Sequence, residues 1–209
     1  ESIMLENVVV TGTRHETDVR HLPMTVTTLS HEKLSEHHRS SILSTLNEQV
    51  PGLFTTSRGM MGYGVSNGSA GAFTMRGVGG SSPNAGVLVL IDGVPQYAGL
   101  FGHAIADAYQ TMMAERVEVL RGPASALYGS NAMGGVVNIV TRQMKQDGVK
   151  SDIRISAGSY GTAQAEWMQR IRKGKFSSIV GLNYGRTDGH RLNNEFSQYT
   201  GFIKLGYDL

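Results

Sequence analysis

Short apolar runs alternate with polar and glycine-rich stretches from about residue 20 to about residue 145. β-favouring runs predict short strands at residues 24–28, 73–76, 87–91, 117–120 and 136–140. Helical spacing of apolar residues predicts short helices at 31–38, 42–50 and 124–128. The intervening segments predict loops at 57–71, 79–86 and 97–113. This mixture of short strands and helices indicates a small α+β domain.

A different pattern begins after the polar linker at residues 143–150. Apolar and polar residues now alternate over segments of roughly 8–13 residues. Ile153 and Ile155 fall on one face, for example, and Asp152 and Arg154 on the other. About four such segments, joined by tight turns and a longer polar loop, are typical of a transmembrane β-meander. Aromatic residues near the ends of the apolar faces are typical of a membrane-interface girdle, namely Tyr184, Tyr199 and Tyr207. On pattern alone, an ordinary soluble β-sandwich remains the alternative.

The composition narrows the classes of function. The chain has no cysteine, which excludes a disulfide framework, a thiolate metal site and a cysteine nucleophile. Its net charge of +2 is too small to indicate nucleic-acid binding. The sequence contains no run of about 18 apolar residues, so it predicts no transmembrane helix. The sequence has no H-E-x-x-H motif, and its G-x-S-x-G match at residues 64–68 lies in the predicted loop 57–71 and forms no nucleophile elbow between a strand and a helix. We therefore predict no enzyme.

The amino-terminal stretch contains one β-favouring run, Asn7-Val8-Val9-Val10-Thr11, between polar flanks. An isolated strand-former near a polar terminus is typically mobile, so we expect residues 1–20 to be weakly ordered. An extended apolar segment of this kind can add a strand to the sheet edge of a partner. The alternative is that the run is the first strand of the domain's own sheet.

Two stretches carry a specific pattern of residues. The first is RGV at 76–78 followed by VLIDGVP at 89–95, and the second is ERVEVLRGPASALYGSNAMGGVVNIVT at 115–141. Together they closely resemble the plug domain of TonB-dependent outer-membrane receptors. The resemblance implies an α+β plug domain followed by the opening antiparallel strands of a transmembrane β-barrel. It places a TonB box and mobile segment at 1–20, the plug at 21–145 and about four barrel strands at 146–209. Because complete barrels of this kind have about 22 strands, we expect this chain to be a piece of a longer protein.

The resemblance also implies roles for named residues. The TonB box would comprise Glu6, Asn7, Val8, Val9, Val10 and Thr11. Its partner would be TonB with the inner-membrane energising complex. Arg76 and Arg121 would make plug–barrel contacts, with Glu115 and Glu118 as the local carboxylates that they face. Ordinary surface ion pairs are the alternative for these four residues.

The implied function is active import of a scarce nutrient across the cell outer membrane, with the plug facing the periplasm and the barrel lumen. Residues on plug loops would contact the ligand, namely Met60, Met61, Tyr63, Tyr97, Phe101 and His103. The sequence around His103 is most similar to the sequences of haem- and cobalamin-type receptors of Bacteroidetes. The alternatives are a siderophore receptor and a ligand-sensing signalling receptor. Further partners would be outer-membrane lipid and a surface lipoprotein that hands over ligand. No resident metal or cofactor is implied.

We predict that His103 contacts the ligand and that His103→Ala separates two of these substrates. A neutral imidazole can ligate haem iron, so the substitution should weaken haem binding and alter the haem absorption spectrum. For cobalamin the loss should be on the order of 1 kcal/mol, as for one hydrogen bond. The measurement is a titration of each compound into the full-length wild-type and variant receptors. Unchanged affinity for both compounds would remove His103 from the site.

Overall fold

The computed structural model describes residues 8–9, 11, 17–18, 25–36, 39–57, 61–62, 73–79, 86–96 and 106–208. These residues belong to two compact units. The first unit takes its residues from 1–56 and 64–141, and the second from 57–63 and 142–209. The short segment 57–63 therefore belongs with the carboxy-terminal residues, although the chain on both sides of it belongs to the first unit.

The first unit consists of short strands and short helices. Its strands are β1 (Val8–Val9), β2 (Thr17–Asp18), β3 (Thr25–Ser30), β4 (Leu53–Thr55), β5 (Phe73–Met75), β6 (Val78–Gly79), β7 (Val87–Ile91), β8 (Val94–Pro95), β9 (Ala114–Arg121) and β10 (Gly135–Thr141). Its helices are α1 (His31–Ser35), α2 (Ile42–Gln49) and α3 (Ser125–Tyr128), with 3-10 turns at Ala106–Ala108, Thr111–Met113 and Ser130–Ala132. Among the described residues, no helix is long and apolar enough to cross a membrane.

A five-stranded sheet forms the centre of the first unit, in the order β3-β9-β10-β7-β8. β10 runs parallel to β7, and the other neighbours are antiparallel. β10 is an interior strand that is buried on both faces, and its sequence reads as a nearly continuous apolar run. β9 is also interior and is buried from Val117 to Leu120, although Glu118 lies within that stretch. Leu34 of α1 and Leu46 of α2 are also fully buried. The central strands are thus the ones that the apolar runs predicted.

Two differences from the predicted elements come from pairing. β9 begins at Ala114, earlier than the apolar run at Val117, because Thr141 of β10 pairs with Ala114. β4 at Leu53–Thr55 was not predicted, and it forms because Phe73–Met75 offers it an antiparallel partner. Contacts distant in sequence therefore extended the strands beyond what the local pattern indicated.

The hairpin after β7 is fixed to the far end of β10. Asp92 has a left-handed backbone with φ of 49°. Its carboxylate accepts hydrogen bonds from the backbone N–H and the hydroxyl of Thr141, at 2.8 and 2.6 Å. The N–H of Gly93 donates to Asn138 Oδ1 at 3.1 Å. These bonds hold the turn beside the residue at which the chain leaves the sheet.

The second unit is an antiparallel meander of long strands. They are β11 (Gly148–Gly158), β12 (Thr162–Lys173), β13 (Phe176–Thr187) and β14 (Phe196–Tyr207), each paired with the next. Their lengths of 11 or 12 residues match the predicted long alternating segments. β11 begins at Gly148, so the predicted polar linker ends earlier than residue 150.

The two faces of this meander differ in chemistry. One cross-strand row joins Ile155, Ala165, Tyr184 and Tyr199, and Ile155 and Tyr199 are 78% and 81% exposed. The next row on the opposite face is polar, and includes an Arg154–Glu166 ion pair at 3.3 Å. Arg170 and Asp152 form a second ion pair on this polar face at 2.8 Å. An apolar exposed face and a polar opposite face are what a lipid-facing barrel wall requires.

Candidate functional site

The strongest candidate site in the first unit is a carboxylate buried in the central sheet. Glu118 lies on β9 and is 0% exposed. Its neighbours in register are Thr28 on β3 and Asn138 on β10. Leu120 follows on the same face and belongs to a buried apolar cluster with Leu88 and its neighbours. A carboxylate in such surroundings must be supplied with hydrogen-bond donors.

Two of the donors come from the amino-terminal segment. The backbone N–H and the hydroxyl of Thr11 donate to Glu118 Oε2 at 2.8 and 2.6 Å. Arg116 Nε donates to Glu118 Oε1 at 2.8 Å. Thr11 is itself only 1% exposed. The carboxylate therefore holds residue 11 against the sheet through charge-assisted hydrogen bonds.

The predicted strand-former at the amino terminus has a partner within its own chain. Val8 pairs with Asp18 and Val9 with Thr17 in an antiparallel ladder. Thr11, which lies within the segment predicted to be mobile, is buried and bonded to Glu118, and the mobility of the segment stays a prediction. This contact satisfies the donor requirement of a carboxylate more than 100 residues away, which local composition does not indicate. Glu6, Asn7 and Val10 of the predicted TonB box lie outside the described residues.

The predicted pairing of Glu118 with Arg121 is not present in the structure. The two residues are three positions apart on one strand, so they lie on opposite faces, whereas Arg116 shares the face of Glu118. The Nε of Arg121 is buried and has no hydrogen-bond partner among the described residues. Arg76 is exposed, with φ of 51°, and its backbone N–H donates to Gly52 O at 2.7 Å. Glu115 is also exposed.

Sequence reasoning missed Arg116, although a signal for it was present. Residues two apart on a strand share a face, and a basic residue two positions from a buried glutamate is its nearest same-face donor. The contact with Thr11 had no such signal in the sequence.

Most of the predicted ligand contacts cannot be placed. Met60, Tyr63, Tyr97, Phe101 and His103 lie outside the described residues. Met61 is described and half-buried, and its sulfur accepts a hydrogen bond from Gln164 Nε2 at 3.6 Å. No group of three His, Asp or Glu residues positioned to hold a metal ion occurs in the part of the chain that the structure describes.

Comparison with known families decides what kind of domain carries this site. The family model for the TonB-dependent Receptor Plug Domain matches residues 18–136, more than half of the chain. The chain belongs to this family. It is therefore part of an outer-membrane receptor and not of an enzyme, and the first unit contains all of the matched residues except 57–63.

Solved receptor structures agree with this assignment. The chain is similar to the ferric yersiniabactin uptake receptor from Yersinia pestis, with 27% identity over 87% of this chain and 28% of that one, and a TM-score of 0.69. It is also similar to the alcaligin outer-membrane receptor from Bordetella pertussis, with 16% identity over 97% of this chain and 32% of that one, and a TM-score of 0.72. At the lower identity the likeness shows the fold alone. The predicted fold class, a plug followed by opening barrel strands, is confirmed.

This chain spans only about a quarter to a third of the length of these receptors. The second unit corresponds to the opening strands of their barrels. The activity, substrates and partners of the whole receptor are therefore inferred below from the plug and these strands.

We predict that Glu118→Gln loosens the amino-terminal segment of the plug. A neutral amide is a weaker acceptor than a carboxylate, so the Thr11 amide should exchange with solvent roughly tenfold faster. Hydrogen–deuterium exchange on the full-length receptor measures this rate.

Thr28→Val is the matched control. Thr28 lies opposite Glu118 in register, and its hydroxyl is buried without a hydrogen-bond partner among the described residues. This variant should leave the Thr11 amide unchanged. An unchanged rate in Glu118→Gln, or an equal increase in both variants, would contradict the contact.

Proposed function

We propose that the whole protein is an active transporter that imports a scarce metal chelate through the outer membrane. The observation that carries the proposal is the amino-terminal segment of a receptor plug docked on a buried carboxylate of its central sheet. Such a segment can be withdrawn without breaking a covalent bond. A transporter that is driven from the periplasm needs a segment that the energising complex can bind and pull.

We propose that this segment is the TonB box at residues 6–11. Val8 and Val9 already form a ladder with β2, which supports the capacity of this run for strand pairing. TonB would take the place of β2 by adding its own strand edge, so that main-chain hydrogen bonds carry the load. The inner-membrane complex would then pull through TonB, and the plug would rearrange to open a path.

The Nε of Arg121 is buried and has no hydrogen-bond partner among the described residues, which supports the proposed plug–barrel contact. A buried guanidinium N–H without an acceptor is costly, and a carboxylate from the part of the receptor beyond this chain would satisfy it. We extend the same proposal to Arg76 and Glu115, which are both exposed. Glu118 is committed to Thr11 and Arg116, so its part is to hold the amino-terminal segment.

We propose a ferric siderophore as the imported chelate. Supporting this, similar solved receptors are named for ferric yersiniabactin, alcaligin and pyoverdine. Haem and cobalamin, which the sequence around His103 favoured, are the competing ligands, and the ligand contacts proposed at residues 60, 61, 63, 97, 101 and 103 apply to all of them. Delivery by a surface lipoprotein stays a prediction of the resemblance.

We predict that Val9→Pro abolishes energised uptake and leaves ligand binding intact in the full-length receptor. Proline lacks the backbone N–H and so removes one bond of the ladder with TonB. Val9→Ala keeps that N–H and serves as the control. Uptake and binding are measured with a panel of ferric yersiniabactin, ferric alcaligin, ferric pyoverdine, haem and cyanocobalamin.

Each outcome of the panel decides between functions. Uptake of a ferric siderophore by wild-type and Val9→Ala receptors, lost in Val9→Pro, supports the proposal. Uptake of haem or cyanocobalamin alone would overturn the siderophore assignment. Binding without uptake by the wild-type receptor would favour a sensing receptor. Normal uptake by Val9→Pro would contradict the strand-addition role.

A further inference from the structure

Residues 61 and 62 lie on the polar face of the meander formed by β11–β14. They belong to the segment 57–63, which is assigned to the second unit. Their contacts involve β12, β13 and the first residue of β14. Three side-chain positions on that face receive them, namely Gln164, Gly185 and Phe196.

Gly62 is fitted closely to the ring of Phe196. Its φ of 80° lies in the left-handed region, which favours glycine. A Cβ atom on Gly62 would lie 2.5 Å from both Cδ2 and Cε2 of Phe196. The backbone at residue 62 therefore rests directly on the aromatic ring, with no room for a side chain.

Met61 makes a second contact on the neighbouring pair of strands. Gln164 Nε2 approaches Met61 Sδ at 3.6 Å. Gly185 is the register partner of Gln164, and a Cβ atom at Gly185 would lie 2.7 Å from Met61 Cε. The methionine thus lies across two adjacent strands, between an amide donor and a bare backbone.

Gly185 lies where the side chain of Met61 approaches strand β13. A glycine inside a strand weakens it, and it often indicates close contact with another part of the chain. Gly181 lies on the same face of β13 and offers a comparison. A Cβ atom there would find its nearest neighbour at 3.6 Å, an ordinary packing distance. Met61 therefore approaches the backbone of β13 more closely at Gly185 than any side chain does at Gly181.

We propose that Gln164, Gly185 and Phe196 are positioning residues that hold the 61–62 segment against the polar face of the meander. The segment contains Met61, which is a proposed ligand contact, so the inference rests on the proposed function. By holding this segment, the three residues fix the position of Met61 relative to the chelate. These barrel residues affect ligand affinity without themselves touching the ligand.

The test compares Phe196→Ala with Phe202→Ala and Phe196→Tyr in the full-length receptor. Phe202 has the same side chain and lies on the same strand and face, but its register partner is Gly181. Phe196→Ala should raise amide hydrogen exchange at residues 61–62 by about tenfold, because the ring contact is lost. Phe202→Ala should leave that exchange unchanged, and Phe196→Tyr should restore the wild-type rate.

Uptake of the same five-member panel distinguishes positioning from folding. Phe196→Ala should raise the half-saturating concentration of the imported chelate about tenfold, with the maximal rate unchanged, because misplaced contacts weaken binding. A folding defect would instead lower the maximal rate. Unchanged exchange in Phe196→Ala, or an unchanged half-saturating concentration, overturns the inference.

Failure of the proposed function gives a different result. A wild-type receptor that imports none of the five compounds would overturn the function and the ligand-positioning half of the inference. The exchange rates at residues 61–62 would still decide whether Phe196 holds the segment.

Discussion

Glu118 places a carboxylate inside the apolar centre of the plug, on a strand with neighbours on both sides. A charge in that position is costly unless donors surround it. Arg116 supplies one donor from the same strand, and Thr11 supplies two from the amino-terminal segment. The contact of that segment with the sheet therefore follows from the need to satisfy a buried charge. The same contact sets the position of the proposed TonB box.

Hydrogen bonds to a charged group contribute about 1.5–3 kcal/mol each. Docking through two such bonds is specific but small compared with the energy of the whole sheet. It lets the terminal segment remain in one place in the resting receptor and leave it under modest force. Glu118 lies on an interior strand, so load on residue 11 reaches the middle of the sheet before it reaches the edge strand β3. The contact at Met61 and Gly62 involves the other unit and does not depend on this one.

Much of the fold could be predicted from local pattern. The continuous apolar run Val87–Ile91 predicted a central strand, because burial of both faces leaves an apolar run in the sequence. The alternation around Ile153 predicted a strand of the meander, because the two faces of that strand differ in chemistry. The candidate site was harder to predict from the sequence. Contacts such as Thr11 with Glu118 and Met61 with Gln164 join residues more than 100 positions apart, and no local period records them. Arg116 could have been found from its spacing alone.

A double-mutant cycle between Thr11→Val and Glu118→Gln tests the central claim most directly. The measured quantity is the affinity of the carboxy-terminal domain of TonB for the full-length receptor without ligand. If the Thr11 hydroxyl holds the segment through Glu118, each single variant should strengthen TonB binding, and the two effects should be non-additive by about 1 kcal/mol. Additive effects, or no change in either single variant, would contradict the account.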